Sequence, residues 1–260
     1  MPTINRKGVN LYYEVHGDGP VLLLSHGYSA TSEMWRDQVA TLSRSHKVIV
    51  WDMRGHGRSD SPNDQSEYSH EKSVDDMAEL LDVVGVERAI VAGLSLGGYM
   101  SLAFHLAHPE RVRALIIIDT GPGFKSDDAR QRWNAHALEI LSKLAAEGLS
   151  YLSSTTRERS TSSHQSADGL MRAALGMLTQ RDASVIKSLP NIKVPTLIVV
   201  GENDVQFHNA ANYMAEKIPK ARKIVIPGAG HAVNIDQPVI FNKAVCDFLE
   251  SLGDTVEHKS

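Results

Sequence analysis

Short, largely apolar runs punctuate this chain at intervals, and amphipathic stretches fill the space between them. Residues 21–24 and 47–51 read as buried strands, 114–118 as a central parallel strand, and 89–91, 194–200 and 223–226 as further strands of the same sheet. Residues 10–16 instead alternate, with Leu11, Tyr13 and Val15 set against Tyr12, Glu14 and His16, which predicts an edge-type strand before the turn Gly17-Asp18-Gly19-Pro20. Three-and-four spacing predicts helices over 31–43, 69–84 and 238–252; in the second of these Val74, Met77, Leu80, Leu81 and Val84 share a face and Gly85 caps the end. Residues 99–106 are helix-compatible as well. Strands and helices alternate without repeats, so the class is α/β with a mostly parallel sheet.

That rhythm breaks at Gly121-Pro122-Gly123. No strand-like run occurs over 124–190; helices are predicted over 126–148 and 170–178, and the Ser/Thr-rich stretch 150–166 between them reads as loop. The expected organisation is a core formed by 1–122 and 191–260 with a small helical cap, 123–190, inserted after the sixth strand. The polar residues after 252 are expected to fray.

One junction carries chemistry. Ala89, Ile90 and Val91 run into Ala92-Gly93-Leu94-Ser95-Leu96-Gly97-Gly98, and a helix leaves on the other side. Gly-x-Ser-x-Gly between strand and helix implies a turn so tight that the serine is pushed to positive φ and the backbones nearly touch at Gly93 and Gly97. The turn lifts the Ser95 hydroxyl off the sheet to a helix N-terminus, where N–H groups favour negative charge.

A serine hydroxyl attacks well only when a base takes its proton and an acid orients that base. Of 12 histidines, His231 in Pro227-Gly228-Ala229-Gly230-His231 follows the last predicted strand and is assigned as the base. His26 and His56 occupy loops on the same sheet edge, in Gly-flanked turns where bonding backbone groups is an equally good role; His105 and His108 read as surface or packing residues. Asp204, in Gly201-Glu202-Asn203-Asp204 after the penultimate strand, gives the order Ser, Asp, His and is taken as the acid. Asp119, at the end of the strand after the elbow, competes for that role, whereas Asp236 follows the histidine and Glu202 reads as a loop-holding residue. An oxyanion needs two backbone donors, expected from Leu96 and from Tyr28 in the Ser25-His26-Gly27-Tyr28 loop. Trp133, Leu138 and Leu141, with Met171 and Met177, are the apolar cap residues expected to roof a substrate pocket.

Composition narrows the partners. A hydrophobic content of 42% supports a globular core, and a net charge of -4 with scattered Lys and Arg offers no footprint for nucleic acid or an anionic membrane. The N-terminal residues lack the apolar centre of a signal peptide and no apolar run approaches ~20 residues, so a cytoplasmic protein acting on a small molecule is expected. The single cysteine, Cys246, lies among Phe241, Val245, Phe248 and Leu249 in a helical pattern and reads as a core filler.

Ser25-His26-Gly27-Tyr28, Asp52-Met53-Arg54-Gly55-His56-Gly57-Arg58-Ser59, Gly93-Leu94-Ser95-Leu96-Gly97-Gly98, Gly201-Glu202-Asn203-Asp204 and Gly230-His231 together resemble the successive signature loops of the α/β-hydrolase fold family, serine-nucleophile branch. The resemblance covers residues 10–250. It implies an eight-stranded sheet, a helical cap between the sixth and seventh strands, and a hydrolase without cofactor; no metal site is expected, and the chain is expected to act as a monomer or homodimer. The Ser-Leu-Gly-Gly elbow and short cap are similar to those of carboxylesterases, enol-lactone hydrolases and carbon–carbon bond hydrolases. Family members that cleave epoxides or carbon–halogen bonds carry aspartate at the elbow, against Ser95 here, and the perhydrolase branch carries a proline where Ser29-Ala30 stands. The resulting expectation is a serine esterase or lactonase acting on a small, fairly apolar ester. The alternatives are a carbon–carbon bond hydrolase of ring-cleavage products, whose substrates carry carboxylates, and a ligand-sensing module on the same scaffold.

Overall fold

The computed structural model describes residues 2–253, so the tail expected to fray lies outside the described residues. Eight strands form one sheet: β1 (Thr3–Arg6), β2 (Val9–His16), β3 (Val21–Ser25), β4 (Lys47–Trp51), β5 (Ala89–Leu94), β6 (Val112–Ile118), β7 (Thr196–Gly201) and β8 (Ala221–Ile226), in the order β1-β2-β4-β3-β5-β6-β7-β8. Pairing is antiparallel from β1 to β2 and from β2 to β4, and parallel across the rest. The stretch expected at the edge is therefore second from it. β1 lies outside, and it escapes a periodicity reading because Ile4 is its single buried residue.

The helices are α1 (Arg36–Leu42), α2 (His70–Val83), α3 (Leu96–Ala107), α4 (Asp127–Glu147), α5 (Arg157–Ser160), α6 (Ala167–Ala173), α7 (Ser184–Ser188), α8 (Val205–Lys217), α9 (Val233–Asp236) and α10 (Pro238–Ser251). Ser69 caps α2 by accepting the Lys72 N–H, and Ser126 caps α4 by accepting the Ala129 N–H. The stretch read as loop over 150–166 is partly helical: a 3₁₀ turn covers Gly148–Ser154 and α5 follows it. α8 gave no sequence signal because Val205 is 73% exposed and only Ala211 and Met214 of the helix are buried.

Alternate strand residues feed two separate cores. Leu22, Leu24, Ile90, Ala92, Ile116, Leu197 and Val199 pack with Trp35, Leu42, Phe241, Val245 and Phe248 on one face. Leu23, Val91, Leu115, Ile117, Ile198 and Val200 pack on the other with α2, α3 and α8, and the helical insertion between β6 and β7 joins this second layer through Ile140, Leu144, Leu170 and Met177. The insertion is also tied to core loops by polar bridges. The Tyr28 hydroxyl donates to Leu170 O at 2.9 Å, His70 Nε2 donates to Met177 O at 2.9 Å, and His164 spans Ser29 O and the Gly57 N–H at 3.0 Å each.

Candidate active site

Strand order reverses between β3 and β5, because the chain leaves β3 toward β4 and then crosses back. In open α/β sheets a crevice forms at that point, outside the carboxyl ends of the strands. Ser95 stands there, directly after β5, with φ +54°, a backbone conformation that few non-glycine residues adopt. Its neighbours leave no room for side chains: a Cβ on Gly93 would lie 2.2 Å from the Gly97 carbonyl carbon, and one on Gly97 would lie 2.2 Å from Ser25 O. The second contact presses the elbow against the loop after β3. A Cβ on Gly27 would sit 3.5 Å from the Ser95 Cβ, so the stretch carrying Tyr28 abuts the serine. Leu96 opens α3 on the other side.

The neighbouring strand ends deliver the other groups. Asp204, 5% exposed, follows β7 at the start of α8, and its Oδ2 accepts from His231 Nδ1 at 2.7 Å. That bond leaves His231 Nε2 as the acceptor end of the neutral ring. Phe207 stacks on the His231 ring at 5.3 Å, which holds its plane from the other side. Asp119 meets different partners: Oδ1 accepts the Gly201 N–H at 2.8 Å, and Oδ2 is buried beside the Asp204 carboxylate. Burial first, and then the adjacent Asp204 carboxylate, raise its carboxyl from 3.8 to about 9. The structure thus puts Asp204 on the imidazole and Asp119 behind it.

The remaining candidates hold loops. Glu202 accepts the Gly228 N–H at 2.8 Å and Asp236 accepts the Gly230 N–H at 2.9 Å, bracing the His231 loop from two sides. His26 donates from Nδ1 to Gly27 O and accepts the Met53 N–H at Nε2, and His56 donates from Nδ1 to Arg54 O. Burial lowers both imidazoles' affinity for a proton. His105 is buried in α3, and the ring of His108 packs on Phe104.

A cavity of about 280 Å³ opens on Ser95 and Leu96. Its walls come from Tyr99, Phe124, Trp133, Met177, Phe207 and Gln180, with smaller residues between, and none of its lining residues is charged. Trp133 and Met177 are where the cap was expected to contribute. Leu138 and Leu141 are not in the lining: α4 buries Ala137, Ile140 and Leu144, which turns Leu138 outward to 48% exposure. Phe207, Gln206 and Ala210 were missed because they belong to the unforeseen α8, and Gln180 because a lone glutamine in a loop carries no pattern.

Fold and strand-end geometry together define a hydrolase-type α/β protein. The chain belongs to the alpha/beta hydrolase fold family, whose model matches residues 20–238. It is similar to the 2-(acetamidomethylene)succinate hydrolase of Mesorhizobium japonicum, 28% identical with 94% of this chain and 92% of that protein covered. Among solved structures, a thermophilic esterase from Thermogutta terrifontis is 29% identical with a TM-score of 0.80, covering 96% of this chain and 97% of that one. The enol-lactonase from Burkholderia xenovorans LB400 is 26% identical with a TM-score of 0.77, covering 96% and 100%.

Proposed function

We propose that this hydrolase cleaves a small, neutral carboxylic ester or lactone through an acyl-enzyme formed on Ser95. The observation that carries the reading is the 2.7 Å bond between Asp204 and His231 on the strand edge that also presents Ser95, beside an uncharged cavity. In this scheme His231 takes the proton of the Ser95 hydroxyl as the oxygen attacks the carbonyl carbon, and Asp204 stabilises the imidazolium that results. The backbone N–H groups of Leu96 and Tyr28 receive the oxyanion as it develops. His231 then returns the proton to the departing alcohol, and water repeats the sequence to release the acid. The cap, 123–190, supplies the roof through Trp133 and Met177. The esterase and enol-lactonase among the similar structures support this reaction class.

The absence of any Arg or Lys from the cavity lining disfavours the carbon–carbon reading, whose substrates carry carboxylates that need a cation. A ligand-sensing module is separated from an enzyme by turnover. A fluorophosphonate is expected to label the protein once, at Ser95, with loss of p-nitrophenyl ester hydrolysis, and Ser95→Ala to abolish both. Hydrolysis of no activated ester by purified protein, or wild-type turnover in Ser95→Ala, overturns the reading.

A further inference from the structure

Two residues of the helical insertion reach the loop after β3 and meet there at a single serine. Residues 27–30 form a turn closed by the Ala30 N–H on Gly27 O at 3.1 Å, with Ser29 third in it at φ +55°. Glycine ordinarily takes that position, and another residue keeps the conformation only where its surroundings fix it. Ser29 is wholly buried; its Oγ donates to Tyr28 O at 2.8 Å and accepts from Arg159 Nε at 2.6 Å, while its carbonyl accepts from His164 Nε2 at 3.0 Å. From the core side, Gly27 O also accepts from His26 Nδ1 at 2.7 Å. The peptide groups on both sides of Tyr28 are therefore held by their oxygens, and the Tyr28 N–H is left without an acceptor among the described residues.

A guanidinium is a poor choice for packing alone. Arg159 Nη2 is buried with no hydrogen-bond partner among the described residues, a desolvation that a side chain serving only to fill space would not incur. The rings of Tyr28 and Tyr151, 5.8 and 6.0 Å from the guanidinium carbon, hold it over the loop. Its charge acts on the Ser29 hydroxyl: a charged donor at 2.6 Å polarises that group and strengthens the bond it donates in turn to Tyr28 O.

We infer that Arg159 is a positioning residue for the reaction, which acts through Ser29 to fix the Tyr28 peptide so that its N–H meets the oxyanion. The inference rests on the esterase reading and deepens it, because it makes one half of the oxyanion hole depend on a residue of the insertion. A misplaced donor weakens the transition state without touching the ground state, and acylation and deacylation each pass through an oxyanion. The signature is therefore a lower kcat at constant KM.

Arg159→Met keeps an unbranched side chain between the two rings and removes the donor. Its kcat for a p-nitrophenyl ester is expected to fall by roughly 10–100-fold, with KM unchanged within about twofold. Ser29→Gly keeps the turn and removes the hydroxyl, and is expected to lower kcat to a similar degree. In that background Arg159→Met is expected to lower kcat by no more than about twofold further, since the two residues act as one unit. Wild-type kcat in Arg159→Met, a loss carried by KM, or a full additional loss in the Ser29→Gly background overturns the inference and leaves Arg159 a strut between insertion and core. A second readout does not need turnover: native-state hydrogen exchange of the Ala30 amide, compared with the amides of β5 in the same protein. Protection of Ala30 is expected to fall by roughly 10-fold in Arg159→Met while β5 is unchanged. That result upholds the hold on the loop even if no ester is cleaved, an outcome that overturns the esterase reading alone; equal protection of Ala30 in variant and wild type overturns the inference.

Discussion

Two carboxylates crowd the strand ends behind His231, and they separate by environment. Asp204 bonds the imidazole; Asp119 accepts one N–H and keeps its second oxygen against Asp204. Asp204→Asn is expected to lower turnover by about 10⁴-fold, the loss a serine protease shows when its triad acid becomes the amide. Asp119→Asn is expected to change turnover far less, because the amide still accepts from Gly201; a larger loss from Asp119→Asn than from Asp204→Asn would reassign the acid. Stability moves the other way. A carboxyl raised from 3.8 to about 9 keeps in the native state a proton that the unfolded chain releases, so its contribution is full below about 3.8 and declines as pH rises through that window. Thermal melts across pH 5 to 9 should therefore show Asp119→Asn gaining on the wild type as pH increases. Residue identity made much of this legible: a serine between glycines, a histidine after the last strand and an acid between them in order are chemical types that few other sites assemble. The division of labour between Asp119 and Asp204 was not, because it depends on which oxygen faces which ring.

The elements most readily predicted were those whose environment leaves a simple trace. β3, β5 and β7 are buried along their whole length, β6 at every position but Arg113, and all four appear as largely apolar runs, and α2 begins at a serine cap and is followed by Gly85 at φ +75°. The rotational setting of α4 was out of reach, since Leu138 and Ala137 are both compatible with a buried stripe until Trp133 is tied to Leu178. The attachment of the insertion has its own acid sensitivity. His164 accepts the Gly57 N–H at Nδ1, so the bridge exists only with that nitrogen unprotonated. Burial lowers its imidazole from 6.5 to about 4, with His26, His56, Asp52 and Arg159 around it. The stabilisation this bridge gives is complete above about 6.5 and is lost as pH falls toward about 4. Protection of α5 and α6 against hydrogen exchange, taken relative to the intrinsic rate at each pH, is expected to fall between pH 6.5 and 4.5 ahead of the sheet, and His164→Gln to flatten that difference; a uniform loss of protection throughout the protein would refute it.

The whole molecule rests on two apolar layers, but the second encloses a buried ion pair, Arg54 with Asp76, that reaches the surface at Glu67. Arg54, 2% exposed, meets Asp76 through Nε at 2.6 Å and Nη2 at 2.8 Å, and Glu67 through Nη1 at 2.6 Å. Removing one member of such a cluster leaves a buried charge behind. Arg54→Met is expected to cost about 3–5 kcal/mol in urea unfolding, toward the lower end because Arg6 still reaches Asp76 at 3.1 Å, and Arg54→Met with Asp76→Leu to recover part of the loss. An Arg54→Met variant as stable as the wild type would contradict this account. Nothing in a sequence announces that Arg54, in a Gly-rich loop, is internal, whereas the parallel order of strands is written in their composition. The same sheet sets how the insertion could be exchanged between relatives. β6 and β7 are parallel neighbours, so the chain must leave at one end of the sheet and re-enter at the other. α7 and the turn after it make that descent, with Val185, Ile186 and Leu189 buried in the core layer. A transplant bounded at 123 and 190 would discard this return leg along with the roof. One bounded at 123 and 182 would carry a foreign roof onto an intact chassis, replacing Trp133, Met177 and Gln180 as a set while Ser95, Asp204 and His231 stay at the ends of native strands.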